Sequence, residues 1–306
     1  MIGELANVFV QIILPALAVA AIGYVLGSTR PIDLDAITGL SVSVLVPAIV
    51  FDSLARTAVP REVLGRLTVH VALQLVVVGL LAVLAAHALG WRGPSRGALL
   101  LATLFTNSGN IGLPITLFAF GQPGLAIAGS VFALQAISTH TVGVLIAARA
   151  RAGIGEALAR LVRLPVVYAM LAGVLVNLTG ASVPEPLEKV VQLLAGGALA
   201  VLLLLLGLQM ARLTPRPELT GATVATAIRL LAAPPIAWVT GRAVGLEGAT
   251  LSVSVLQASM PSAVTAALWA MEFDARPSLV SASVVLSTLL SVITLTVLLT
   301  VLTARP

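Results

Sequence analysis

Apolar runs of about 20 residues alternate along the chain with short polar connectors, and each run has the ~20-residue length a helix needs to cross a bilayer. The pattern predicts ten spans, at about 6–27, 36–55, 67–89, 97–120, 125–148, 164–180, 190–211, 221–243, 248–271 and 278–303. Punctuation between them is clear in places, as at Gly27-Ser28-Thr29-Arg30-Pro31, Trp91-Arg92 and the uncharged Gly121-Gln122-Pro123-Gly124. The class this predicts is all-α, a polytopic membrane protein of ten transmembrane helices.

The fourth run does not read as a simple helix. Its middle is Asn107-Ser108-Gly109-Asn110-Ile111-Gly112-Leu113-Pro114. Pro114 has no amide hydrogen for the Asn110 carbonyl, and Gly109 and Gly112 make a departure from helical dihedrals cheap. Two asparagine amides at bilayer depth each cost several kcal/mol unless matched. Unwound backbone at that depth is tolerated where it is buried in protein or lines a wet cavity, and in transporters such breaks mark the substrate or ion site. A helix kink for packing is the plainer alternative.

A basic connector at 151–163, with Arg151, Arg160, Arg163 and Glu156, divides the chain into 1–150 and 164–306. The halves echo each other. Leu14-Pro15 with Gly23 recurs as Leu164-Pro165 with Gly173, at an offset of 150, and Gly97-Ala98 recurs as Gly248-Ala249, at 151. Counting on from Asn110 at that second offset reaches Pro261, within Leu256-Gln257-Ala258-Ser259-Met260-Pro261-Ser262. Five spans per half is an odd number, so the second half must enter the membrane inverted. If both helices break there, Pro114 frees the Asn110 carbonyl and Pro261 that of Gln257. Each following half-helix then starts with unpaired amides and roughly +0.5 of a charge, which suits an anion such as a carboxylate.

Composition agrees with the pattern. The chain is 59% hydrophobic and only 9% charged, with a mean hydropathy of +1.10, against about 25% charged residues in soluble domains. Its excess of basic residues, 17 against 12 acidic, lies mainly between apolar runs, so it reads as a topology signal and not as a nucleic-acid surface. The absence of cysteine excludes thiol catalysis, disulfides and thiolate metal sites. Met1-Ile2-Gly3-Glu4 lacks a basic region, so the first apolar run is expected to be retained. No serine triad, carboxylate cluster or His-x-x-x-His is visible, so no catalytic residue, metal site or cofactor is expected and the chain is not read as an enzyme.

The candidate substrate-binding residues are Asn107, Gly109, Asn110, Gly112, Gln135, Gln257 and Ser259, with Pro114 and Pro261 as helix breakers. Gln135 and Thr139 share a face of the fifth span and either line the cavity or bond neighbouring helices. Arg229, in the eighth span, is read as snorkelling to the interface, with a contact to a substrate carboxylate as the alternative. His70 and His87 read as interfacial, His140 as a hydrogen-bonded neutral histidine or a proton relay, and Asp52 as a partner of Arg56, with a coupling role as the alternative.

The element from Asn107 to Pro114 resembles the signature of the auxin efflux carrier family, the bacterial relatives of the plant PIN-type transporters. Met260-Pro261-Ser262-Ala263-Val264 resembles the family's ninth span, Leu45-Val46-Pro47-Ala48-Ile49-Val50-Phe51 its second and Leu206-Gly207-Leu208-Gln209 its seventh. The resemblance implies ten helices in two inverted five-helix repeats, with broken helices 4 and 9 crossing at mid-membrane, a fold shared with sodium–bile-acid symporters. It also implies export or exchange of small organic anions such as malate or malonate. The plant family's long central loop is absent. The expectation is therefore a carrier working by elevator-like alternating access, with an anion channel or a sodium- or proton-coupled symporter of the bile-acid-symporter-like fold as alternatives.

The expected partners are a small organic anion, the lipid bilayer and a second copy in a homodimer, with no nucleic acid. In the cell inner (plasma) membrane, both termini are expected outside the cytoplasm. That topology places Arg30, Arg92, Arg96, Arg149, Arg151, Arg160, Arg163, Arg212, Arg216 and Arg276 inside, against Arg56, Arg61, Arg66, Lys189, Arg242 and Arg305 outside.

Overall fold

A computed structural model describes residues 2–56, 60–143, 146, 165–213, 218–272 and 274–303. The connector at 151–163 lies outside these residues, as do Arg149, Arg216 and Arg305. The helices, in chain order, are α1 (Gly3–Thr29), α2 (Leu34–Ala55), α3 (Arg61–Ala88), α4 (Pro94–Leu104), α5 (Ser108–Ser138), α6 (Pro165–Thr179), α7 (Glu185–Arg212), α8 (Leu219–Ala243), α9 (Gly248–Ala258), α10 (Val264–Glu272) and α11 (Pro277–Thr303). Seven of them, α1, α2, α3, α5, α7, α8 and α11, are long and apolar enough to cross a membrane. Among the described residues no β-strand forms, and the one isolated bridge joins Thr106 to Ser262.

Prolines shape these helices in a consistent way. Four of the five π-helical turns among the described residues, Phe9–Ile13, Ser41–Leu45, Ser108–Gly112 and Ile228–Ala232, end two residues before a proline: Pro15, Pro47, Pro114 and Pro234. A proline inside a helix removes one donor and pushes its ring against the carbonyl four residues back. Widening the preceding turn to i→i+5 bonding makes room without ending the helix. Pro114 therefore does not break its helix as the sequence suggested. The interruption lies upstream, where Phe105 (φ −105°, ψ 125°) and Asn107 (φ −79°, ψ 49°) leave helical geometry. A second departure, at Gly121 (φ 65°, ψ −163°), divides α5 into two arms at the turn expected between spans four and five.

Close helix approach depends on glycine. A Cβ on Gly207 of α7 would lie 1.9 Å from the Ala20 carbonyl oxygen of α1, and one on Gly23 would lie 2.1 Å from that of Leu204. The two helices meet backbone to backbone, the contact that small residues permit in membranes. On the other side, a Cβ on Gly173 of α6 would stand 2.9 Å from Leu54 Cβ and 3.2 Å from the Phe51 carbonyl of α2. Asn177 Nδ2 donates to the Leu54 carbonyl across the same contact, at 3.1 Å.

His70 of α3, read from sequence as interfacial, is instead fully buried, its Nδ1 3.2 Å from Thr240 Oγ1 of α8. Near a span end, hydropathy alone does not register that a neighbouring helix covers the ring.

Candidate functional site: two helix interruptions joined by an antiparallel bridge

α4 and α9 are each 11 residues long and begin 154 residues apart, at 94 and 248. The offset read from sequence, 151, paired Asn110 with Pro261; the helices themselves bring Asn107 level with Pro261. Each is followed by a short non-helical segment, and these two segments pair. The Asn107 N–H donates to the Pro261 carbonyl at 2.8 Å, and the Ala263 N–H donates to the Phe105 carbonyl at 2.9 Å. Ser262 Oγ donates to the Ala102 carbonyl at 2.7 Å, while its N–H donates to Ser287 Oγ of α11 at 3.1 Å. A helix end leaves its last carbonyls unpaired, and here the facing segment supplies donors to two at the end of α4, those of Ala102 and Phe105.

Arg229 supplies three further donors. Its side chain is 1% exposed, so it does not snorkel. Its guanidinium donates to the Thr103 carbonyl near the end of α4 at 2.7 Å, to the Met260 carbonyl at 3.1 Å, and to the Ala258 carbonyl that closes α9. Three donors of one side chain thus satisfy backbone freed by both interruptions.

Beside the junction lies a cavity of about 120 Å³. The starts of α5 and α10 reach it through Ser108, Gly109, Asn110 and Thr265, and α7 reaches it through Leu205 and Gln209. Among the described residues that line it, none carries a charge. Asn107 lines it with its Nδ2 buried and without a hydrogen-bond partner. Asn110 Nδ2 donates to Gln209 Oε1 at 3.2 Å, and Thr106 Oγ1 donates to Gln135 Oε1 at 2.9 Å. Gly109 belongs here for steric reasons, since a Cβ on it would meet Phe132 Cε2 at 2.9 Å.

Of the residues singled out from sequence, Asn107, Gly109, Asn110 and Gln135 come together around this cavity. Gly112, Gln257 and Ser259 stand apart from it. Gln257 is fully buried between α9 and α5, its Nε2 donating to Thr116 Oγ1 at 2.9 Å. A Cβ on Gly112 would lie 2.5 Å from Gln257 Oε1, so that glycine admits the amide. Ser259 Oγ donates within its own helix, to the Val255 carbonyl at 2.6 Å. Pro261 sits in the second interruption, whereas Pro114 sits beyond the first. Thr106, Gln209 and Thr265 line the cavity without having been singled out. For Gln209 the signal was present, an amide closing the apolar run that starts at Val201. The side chain of His140 lies outside the described residues.

Among the described residues the site offers neutral amide and hydroxyl donors, backbone N–H groups at helix starts and no acid or base. It suits reversible binding and not bond chemistry.

Comparison with known proteins agrees with this chemistry. Residues 151–299 match the family model described as membrane transport protein. An uncharacterized transporter of Methanothermobacter thermautotrophicus is 29% identical over 290 residues, 93% of this chain and 95% of its own length. An uncharacterized transporter of Methanocaldococcus jannaschii is 22% identical over 92% of this chain and 95% of its own. Auxin efflux carrier component 4 of Arabidopsis thaliana is 31% identical over 139 residues, which is 43% of this chain and only 22% of the plant protein. The chain is a multi-pass membrane transporter and not an enzyme, similar over its second half to the family described as membrane transport protein and over 139 residues to an auxin efflux carrier.

Proposed function

We propose that the protein carries small organic acid anions, with the carboxylate held in the cavity beside the paired interruptions. The observation that carries this reading is the sorting of helix ends. The starts of α5 and α10 open on the cavity, while the ends of α4 and α9 face Arg229. Helix starts carry roughly +0.5 of a charge each, so an uncharged pocket between two of them favours an anion. The unpartnered Asn107 amide and the Asn110 amide supply directed donors. A volume near 120 Å³ suits a small acid, since a cavity of about 150 Å³ takes one benzene.

The test is uptake of acetate, lactate, malonate, malate and indole-3-acetate into proteoliposomes. Asn107→Ala and Asn110→Ala, once shown to be folded and inserted, should each weaken affinity for the carried acid about five- to a hundredfold. Unchanged affinity in both variants, or single-channel currents in place of saturable uptake, rejects the reading.

We further read the chain as two inverted repeats of five spans, with the two broken helices crossing. Support comes from matched contacts: Gly23 of α1 packs on α7, and Gly173 of α6 packs on α2. The antiparallel sense of the Thr106–Ser262 bridge is the sense that inverted halves require. The cavity lies between α2 and α7 on one side and α5 and α10 on the other. In an elevator-like cycle, α1, α2, α6 and α7 would be the static group, braced by a second copy in a homodimer. The Asn110–Gln209 bond joins the two groups and would break as they slide.

The topology, with both termini outside the cytoplasm, is tested by labelling. The chain has no cysteine, so Arg151→Cys gives a single thiol. A membrane-impermeant maleimide should leave it unlabelled in intact cells and label it after permeabilisation. Labelling from outside rejects this orientation.

A further inference from the structure

Arg229 is the largest of the fully buried side chains, and it lies inside a membrane-spanning helix. A buried cation needs compensation, and among the described residues its hydrogen-bond partners are all backbone carbonyls. Those carbonyls belong to the terminal regions of two different helices. Each helix end carries roughly −0.5 of a charge, so the two together sum to about one negative charge, which a single guanidinium balances. Unwound carbonyls and half-helix ends are also the groups that coordinate sodium in carriers built on broken helices. A position of that kind is here filled by a side chain. Arginine fits it well, because its planar fork reaches several carbonyls at once and it keeps its charge.

We propose that Arg229 acts as a resident cation, occupying with its guanidinium the place where carbonyls of paired helix interruptions would otherwise take a metal ion. The protein then needs no bound sodium to hold the junction closed. Because the charge is covalently fixed, it travels with α4 and α9 through any conformational cycle and is not released on either side. Arg229 does not line the cavity itself and is a positioning residue, holding both helix ends. Its effect there runs through the bridge, which sets Thr106 and Asn107 at the cavity wall.

The test is thermal melting of the purified full-length protein in sodium, lithium, potassium or N-methyl-D-glucamine chloride at constant ionic strength. The wild type should melt within about 1 °C in all four, because no cation binds the folded state preferentially. Arg229→Lys keeps the charge and should stay near the wild type, whereas Arg229→Gln keeps donors without charge and should melt at least about 5 °C below Arg229→Lys. Arg229→Ala should melt lowest and regain much of the loss with millimolar methylguanidinium or sodium, but not with methylurea. Three results overturn the proposal: a rise of about 3 °C or more for the wild type in sodium, equal stability of the Lys and Gln variants, or a folded Arg229→Ala that no cation stabilises. If Arg229→Ala fails to fold, the wild type and the Lys and Gln pair still decide. These readings are taken without substrate, so they stand or fall separately from the carboxylate assignment.

Discussion

One methyl group added at Gly207 is expected to cost the folded protein ~1–3 kcal/mol, and the same methyl added eleven residues earlier in the same helix is expected to stabilise it. At Gly207 the new carbon would sit 1.9 Å from the Ala20 carbonyl oxygen and 2.5 Å from the Tyr24 amide nitrogen. Both obstacles are backbone, so no rotamer change relieves them and α1 must move away from α7. At Gly196 nothing lies within 4 Å, and alanine there gains up to ~1 kcal/mol of helix propensity. Thermal melting of Gly207→Ala and Gly196→Ala in matched detergent should therefore shift in opposite directions, by roughly 2–10 °C down and a few degrees up. Equal shifts would mean that α1 and α7 are not in backbone contact. Transport should fall in Gly207→Ala even where folded protein survives, if the static group depends on that contact.

A second pair of substitutions should rescue each other. In Gly112→Ala the added carbon would lie 2.5 Å from Gln257 Oε1 and push the amide off Thr116 Oγ1. Gln257 is fully buried, and its Oε1 already lacks a hydrogen-bond partner, so the displaced amide has no better place to go. Gly112→Ala alone should lose ~1–3 kcal/mol, and with it the position of the helix start that faces the cavity. Gln257→Ala alone leaves a small void at a similar cost, while Thr116 Oγ1 keeps its own bond to the Gly112 carbonyl at 2.7 Å. Combined, the added methyl occupies part of the space that the amide vacates. The double variant should be more stable than the sum of the two losses predicts by ~1–2 kcal/mol, and should transport better than Gly112→Ala. Strict additivity of the two changes would show that Gly112 and Gln257 do not meet. The outcome also separates the roles of the two buried amides. Asn107 has a free donor beside the cavity, whereas Gln257 ties α9 to α5.

What the amino-acid sequence determined by itself is the set of local properties. Apolar length marked an all-helical membrane protein, because the bilayer imposes one requirement on every crossing segment, and seven helices among the described residues meet it. It also marked the region from Asn107 to Pro114 as the place where helix geometry fails, since glycine, asparagine and proline carry that information in their own backbones and side chains. Even there, the sequence located the interruption a few residues too late. A proline can be absorbed by a π-turn, as Pro15, Pro47, Pro114 and Pro234 all are. The chain leaves helical geometry instead at Phe105 to Asn107, where a donor and an acceptor from the Pro261 segment replace the lost helical bonds. That partner is more than 150 residues away in sequence, so only the tertiary structure could choose it. The same holds for Arg229. Sequence alone reads an arginine inside an apolar span as a side chain reaching for water, yet the carbonyls of two other helices surround it and satisfy it within the protein. Polar groups at bilayer depth must find partners, and the sequence states that requirement; which partners they find is decided by packing alone.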